Sequence, residues 1–153
     1  MIKIMFVCTG NVCRSAMAHG YMQYLVNKKQ DKNNYLISSC GTHGITGEKA
    51  TDYAKAAMMK YNVDLSNHRA KNINDIDIES YDIIICMTSL QKACVKDLYP
   101  KISEKVYTLK EYIDEKIEYT DIDDPWGLSQ MVYDTCAKEI VESVDKLYDK
   151  ISR

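Results

Sequence analysis

A cysteine and an arginine lie six positions apart near the start of the sequence, in residues 8–15, which read CTGNVCRS. A cysteine thiolate is a strong nucleophile, and the planar guanidinium of arginine can donate two parallel hydrogen bonds to a phosphate group. The spacing between Cys8 and Arg14 is a weak signal by itself, because any two residue types recur by chance at a fixed separation. The position of the segment in the chain makes the signal strong.

Residues 8–15 follow an apolar run, IKIMFV, and lead directly into a helical pattern. A turn from a buried strand into a helix N-terminus directs several backbone N–H groups, and the positive end of the helix dipole, at one point. We therefore predict that this segment binds a tetrahedral oxyanion. In this interpretation Arg14 binds two of its oxygens, and Gly10 adopts a backbone conformation closed to other residues.

Cys8 is the predicted nucleophile of this segment. Amide dipoles, the Arg14 guanidinium and a hydrogen bond that the Ser15 hydroxyl can donate all favour a thiolate. The alternative is a small buried core residue, as cysteines after strands often are, but the polar neighbours of Cys8 disfavour it. The residues predicted to bind the substrate phosphate are Thr9, Gly10, Asn11, Val12, Cys13 and Ser15.

A second segment, residues 121–127, reads DIDDPWG. Cleavage of a phosphate ester by a cysteine needs an acid to protonate the leaving oxygen and then a base for the attacking water. An aspartate before a stiff proline can serve, and Trp126 can form an aromatic wall for a substrate ring. On these residues alone, the segment is equally an ordinary acidic turn, and only the pairing with Pro125 favours Asp124 over Asp123.

The predicted elements that position these segments alternate between strand and helix. Strands are predicted over 2–7, 35–38, 81–87 and 105–109, and helices over 16–26, 48–61 and 90–98. The segment 129–151 has apolar residues three or four apart with charges between them, which predicts an amphipathic helix. The alternation predicts an α/β fold with a parallel sheet covered on both faces. No linker or repeat divides the chain, so we expect one domain over residues 1–153.

Composition narrows the function further. A formal net charge of -2 lacks the basic surplus of nucleic-acid binding, and no run approaches the roughly 20 apolar residues of a membrane span. Residues 1–7 are too short for a signal peptide, so we expect a cytoplasmic protein. There is no CxxC pair and no Cys/His cluster at zinc spacing, so we expect free thiols, no metal and no cofactor. The six cysteines are Cys8, Cys13, Cys40, Cys86, Cys94 and Cys136.

The two motifs resemble those of the low-molecular-weight protein tyrosine phosphatase family, in its bacterial form and close to the protein arginine phosphatase branch. The family loop Val-Cys-x-Gly-Asn-x-Cys-Arg-Ser is matched by residues 7–15, and its Asp-Pro-aromatic motif by residues 124–126. The resemblance also covers residues 39–41, the region of His68, residues 86–87 and residues 107–112. It implies a three-layer sandwich around a four-stranded parallel sheet, flavodoxin-like or Rossmann-like, of the phosphatase I type.

The resemblance also implies roles. Cys8, Arg14 and Asp124 would be catalytic, with a phosphocysteine intermediate. Polar side chains of Asn11, Ser39 and His68 would hold the loop in shape, and Cys13 would form a reversible disulfide with Cys8, the alternative being that it packs beneath the loop.

Two histidines mark departures from the family pattern. His19 replaces a frequent glutamate, as Ala16 replaces a proline, and we expect both to affect the first helix and its surface. His43 is the nearest candidate for a pocket-shaping residue, although a lone histidine is more often an ordinary surface or core residue.

Four functions remain in order of preference. Phosphotyrosine hydrolysis is favoured, because Val12 is apolar, as in tyrosine phosphatases. Protein arginine phosphatases typically have threonine there and come second. Thioredoxin-coupled arsenate reduction would use Cys86 and Cys94, but their spacing and Trp126 disfavour it. A non-catalytic phosphate-binding or redox-sensing module comes last. The expected partners are phosphorylated proteins and free oxyanions, and the expected state is a monomer or weak dimer.

Overall fold

Four strands form one sheet: β1 (Ile2–Cys8), β2 (Tyr35–Gly41), β3 (Ile83–Cys86) and β4 (Val106–Thr108). The computed structural model, which describes residues 1–153, places them in the order β2-β1-β3-β4, and all neighbours are parallel. The predicted four-stranded parallel sheet is confirmed. Strands β3 and β4 are shorter than their apolar runs, which extend into the adjoining loops.

Five helices cover the sheet: α1 (Arg14–Lys28), α2 (Asp52–Met59), α3 (Ser89–Leu98), α4 (Leu109–Ile113) and α5 (Gln130–Ile151). Side chains alternate along β1, so that Ile4 and Phe6 join a core with α1, α2 and α5, while Met5 and Val7 join a second core with α3. The three-layer arrangement is therefore confirmed. No helix is both long enough and apolar enough to cross a bilayer.

Two helices differ from the prediction. Helix α2 begins at Asp52 rather than at residue 48, because Lys49 pairs with Arg69 in an antiparallel bridge and Thr51 caps the helix through a hydrogen bond from the Ala54 N–H. Helix α4 was not predicted. Its single turn is stabilised by a capping box between Thr108 and Glu111.

The carboxyl end of β1 lies where the strand order reverses, since the chain proceeds from β1 to β2 on one side and to β3 on the other. Ligands of open α/β sheets bind in the crevice at such a point. The backbone at this end is fixed to the loop after β2, because Thr42 N–H donates to Cys8 O and His43 N–H to Thr9 O, both at 2.9 Å.

Candidate active site

A cavity of about 310 Å³ opens at the carboxyl end of β1. Three segments form its walls: the phosphate loop (residues 8–15), the β2–α2 loop (residues 42–51) and the acid loop (residues 121–127). The lining residues are Cys8, Thr9, Gly10, Val12, Cys13, Arg14, His43, Ile45, Glu48, Asp124 and Trp126. The structure thus brings both predicted motifs to one cavity.

The Cys8 sulfur lies on the wall of this cavity and contacts two polar groups. The Ser15 hydroxyl oxygen lies 2.9 Å from it, and the Asn11 N–H donates to it at 3.2 Å. Donors directed at sulfur stabilise negative charge there. Cys8 therefore has the surroundings of a nucleophile, although only 1% of the residue is exposed.

Asn11, rather than Gly10, adopts the left-handed backbone conformation of the phosphate loop, with φ at 58°. The prediction for Gly10 is wrong: its φ is not positive, and an added Cβ would meet only Val12 Cγ2, at an ordinary 3.6 Å. Asparagine tolerates this conformation better than most residues. The buried amide also donates to Ser15 Oγ at 2.8 Å and accepts from Lys71 N–H at 3.0 Å, which fixes the turn.

One nitrogen of the buried Arg14 guanidinium has no partner within the protein. The guanidinium Nη1 donates to Ile122 O at 2.9 Å and Nη2 lies 3.4 Å from Asp124 Oδ2, whereas Nε is buried without any hydrogen-bond partner. The backbone N–H groups of Gly10, Val12 and Cys13 also donate to no protein acceptor. Unpaired buried donors are costly unless a ligand satisfies them. This set of donors fits a tetrahedral oxyanion.

Two histidines lie behind the phosphate loop. His68 Nε2 donates to the Asn11 carbonyl at 2.6 Å, and His19 Nδ1 lies 2.8 Å from Ser39 Oγ. His68 therefore contacts the loop directly, whereas Ser39 is bonded to His19. His19 is half-buried on α1 and reaches β2 through this contact. Burial, together with His68, lowers the pKa of His19 to about 4, and burial also lowers the pKa of His68.

The acid loop directs its adjacent aspartates to different places. Asp124 Oδ1 accepts from Trp126 N–H at 3.1 Å and lies 3.8 Å from Cys13 Sγ, while the Asp123 carboxylate accepts from the Tyr119 hydroxyl. Of these two aspartates, only Asp124 lines the cavity, and half of its side chain is exposed. Trp126, 65% exposed, lines the mouth beside it.

The other cysteines differ from Cys8 in their environment. Burial, with Cys8 and Asp124 nearby, raises the pKa of Cys13 to about 12, and burial raises the pKa of Cys86 well above its ordinary value. All six cysteines are free thiols, and Cys94 is only half-buried on α3. A disulfide between Cys8 and Cys13 stays a prediction.

Sequence reasoning missed Ile45 and Glu48, which line the mouth from the β2–α2 loop alongside His43. One apolar and one acidic residue in a polar loop form no motif that predicts a place in the site. For Thr9 the sequence predicted only phosphate binding. Its hydroxyl also accepts a hydrogen bond from Gln91 Nε2 at 3.1 Å and so connects the phosphate loop to α3.

Comparison with known proteins adds to this geometry. Residues 3–153 match the family described as low molecular weight phosphotyrosine protein phosphatase. The chain is 30% identical over 152 residues to a protein-arginine-phosphatase of Bacillus subtilis (strain 168), covering 99% of this chain and 98% of that protein. It is 33% identical over 147 residues to the low molecular weight protein-tyrosine-phosphatase PtpB of Staphylococcus epidermidis, covering 95% and 96%. A crystal structure of a YwlE mutant from Bacillus subtilis superposes with a TM-score of 0.92 at 28% identity, covering 100% of both chains.

Proposed function

Because this chain belongs to the low molecular weight phosphotyrosine protein phosphatase family, we propose that it hydrolyses phosphotyrosine in proteins through a phosphocysteine formed at Cys8. The chain is a cysteine-dependent phosphoric monoester hydrolase. One observation carries the assignment to this site: the unpartnered Arg14 Nε and the free N–H groups of the phosphate loop line the same cavity as the Cys8 sulfur. A phosphoryl group seated there satisfies the donors and faces the nucleophile.

In the first step the Cys8 thiolate attacks phosphorus, so that a P–S bond forms as the P–O bond to the substrate breaks. The Ser15 hydroxyl and Asn11 N–H stabilise the sulfur before the attack. Arg14 and the loop amides bind the three non-bridging oxygens, which carry the charge of the transition state.

Asp124 supplies the proton that the leaving oxygen needs. Its half-exposed carboxyl group lies on the cavity wall next to the position of a leaving group. In the second step the same group accepts a proton from water, which attacks the phosphocysteine and releases inorganic phosphate. Each turnover thus returns Asp124 to its protonated form and Cys8 to its thiolate, and no cofactor takes part in the scheme.

Two residues at the cavity favour an aromatic substrate. Trp126 offers a ring face at the mouth, against which a phenyl ring can stack. Val12 is 6% exposed, and its isopropyl group extends an apolar wall without a hydroxyl. These features support phosphotyrosine over small aliphatic phosphates.

Phosphoarginine is the second candidate, and a charged residue favours it. The carboxylate of Glu48 lines the mouth without an ion pair or hydrogen bond to any other side chain, and it complements a cationic guanidinium group. The similarity to protein-arginine-phosphatases points the same way.

The test compares kcat/KM for a phosphotyrosyl and a phosphoarginyl peptide with the same flanking residues, using Cys8→Ser as the blank. We expect the phosphotyrosyl peptide to be preferred and Val12→Thr, the matched variant, to narrow that preference. A wild-type preference for phosphoarginine, weakened by Glu48→Gln, would replace the first candidate by the second. Turnover of neither peptide would refute the proposed function.

The proposal also covers domain organisation, location, oligomeric state, oxyanion binding and the case against arsenate reduction. Residues 1–153 act as one phosphatase domain, located in the cytoplasm, that works as a monomer or weak dimer and binds free oxyanions as product or inhibitor. Burial of Cys86 at the end of β3 weighs against the relay of thiols that arsenate reduction requires.

A further inference from the structure

The acid loop is anchored at consecutive residues. Asp121 Oδ1 accepts from Ser89 N–H at 2.7 Å, and Ile122 N–H donates to Met87 O at 2.9 Å. The Asp124 carboxylate pairs with Arg14, as described above. Each of these anchors reaches an element distant in the chain. The remaining residue, Asp123, accepts from Cys136 Sγ at 3.8 Å through its backbone carbonyl, but the anchor of its carboxylate is local and has no role in the scheme proposed above.

That anchor is the hydroxyl of Tyr119, which donates to the Asp123 carboxylate four residues later. We propose that Tyr119 is a positioning residue for the general acid: it holds the Asp123 carboxylate away from the cavity, so that Asp124 alone faces the leaving group. The inference rests on the proposed function, because it takes Asp124 as the acid.

Tyr119 is itself held by elements outside the loop. The Lys110 ammonium lies 5.5 Å from the centre of the Tyr119 ring, and the same ammonium pairs with Glu139 of α5 at 2.7 Å. The tyrosine side chain, although 59% exposed, thus contacts a lysine of α4 that is itself paired with α5. The hydrogen bond to Asp123 raises the pKa of Tyr119, so the phenol stays protonated and continues to donate.

The acid loop needs such a device because three aspartates lie within four residues. Their charges repel one another, and two of them, Asp123 and Asp124, are adjacent and chemically identical. A rearrangement of the backbone between them would exchange the carboxyl group that faces the cavity. General acid catalysis requires hydrogen-bond reach to the leaving oxygen, and a misplacement of about 1 Å can cost ~100-fold in rate.

The experiment measures kcat/KM for aryl phosphates whose leaving groups differ in pKa, from p-nitrophenyl to phenyl phosphate. In Tyr119→Phe, which keeps the ring, we expect phenyl phosphate to lose about three- to tenfold and p-nitrophenyl phosphate less than about twofold, because nitrophenolate leaves without full protonation. Asp123→Asn should likewise make kcat/KM depend more steeply on the pKa of the leaving group. Combining it with Tyr119→Phe should make this dependence little steeper than either single variant does. Tyr24→Phe removes a hydroxyl without a hydrogen-bond partner and serves as the matched control.

Two results would overturn the proposal. One is a Tyr119→Phe enzyme with the wild-type dependence on leaving-group pKa, and the other is an equal loss for all leaving groups, which would indicate a structural role alone. Asp124→Asn separates this failure from failure of the proposed function. If Asp124→Asn steepens the dependence and Tyr119→Phe does not, only the role of Tyr119 is wrong. If Asp124→Asn also leaves it unchanged, the acid itself is misassigned.

Discussion

The phosphate loop and the acid loop face the same cavity but are built differently. In the phosphate loop the polar side chains other than Thr9 are buried, with Asn11 and Ser15 fully inaccessible and Arg14 only 4% exposed. In the acid loop the Asp124 side chain is half exposed and Trp126 is 65% exposed. The half of the site proposed to bind the phosphoryl group is therefore rigidly packed, whereas the half proposed to transfer protons is open to solvent.

Asn11 and Asp123 differ in the range of their side-chain contacts as well, although the acid loop also has long-range anchors at Asp121 and Ile122. Asn11 is bonded to His68 and Lys71, which lie 57 and 60 residues further along the chain. Asp123 is bonded to Tyr119, only four residues away. Opening of the phosphate loop thus requires long-range contacts to break, while part of the acid loop can rearrange locally. Changes in the first loop should alter stability and activity together, and changes in the second should alter activity alone.

The largest effect is expected from Cys8→Ser, which removes the nucleophile. Hydrolysis of p-nitrophenyl phosphate should fall by at least about 10⁴-fold, because a neutral hydroxyl cannot replace the thiolate. Phosphate binding, followed by Trp126 fluorescence, should persist because Arg14 and the loop amides remain. Turnover within about 100-fold of the wild type would show that another group attacks phosphorus.

Asp124→Asn tests the exposed loop. We expect kcat for phenyl phosphate to fall by about 10²- to 10³-fold through loss of the acid, with little change in the free energy of unfolding. Steady-state kinetics and urea denaturation measure the two quantities. A large loss of stability would contradict the distinction between the loops, since this carboxylate is half exposed.

Asn11→Ala tests the buried loop and should affect both properties. The variant loses the bonds to Ser15 and Lys71 and puts alanine in the left-handed region, so the free energy of unfolding should fall by about 2–3 kcal/mol. Asn11→Gly should lose less of the free energy of unfolding than Asn11→Ala, because glycine accepts the left-handed backbone conformation. Equal stability of wild type and Asn11→Ala in urea would remove the basis of the comparison.

The smallest effect concerns pH. The pKa of His19 is about 4 in the folded chain against an ordinary value of 6.5, so the unfolded chain binds more protons between these values. Stability present above pH 6.5 should therefore decline as pH falls through this window, by up to about 1.4 kcal/mol per pH unit from this group. Urea denaturation at pH 7, 6 and 5 should show a shallower decline for His19→Gln than for the wild type. Identical slopes would mean that His19 does not titrate as its burial requires.

Much of the phosphate loop was predictable, because consecutive residues in one tight turn between a strand and a helix must share a small volume. The spacing of Cys8, Arg14 and Ser15 therefore predicted that they lie together. The left-handed residue was not predictable, since glycine and asparagine both accept that conformation and the choice depends on contacts with Lys71 and His68.

The remaining parts of the site depend on contacts between distant segments. Glu48 and Ile45 line the mouth because Lys49 pairs with Arg69 in a bridge, so that no helix starts at residue 48. Local propensity does not predict a bridge between residues so far apart in the chain. The separation of Asp123 from Asp124 likewise depends on Tyr119. By contrast, the sheet and the long helix α5 followed from hydrophobic periodicity, which is a property of each segment alone.

The bond from Arg14 to the Ile122 carbonyl joins the two loops through a single guanidinium group. Thermodynamic reciprocity then requires that an oxyanion which fixes this guanidinium also stabilises the backbone of the acid loop, and that anything which loosens that backbone weakens oxyanion binding. We therefore expect the amide protons of residues 121–124 to exchange with solvent more slowly when phosphate is bound. Departure of the product and relaxation of the proton-transfer machinery are one coupled event.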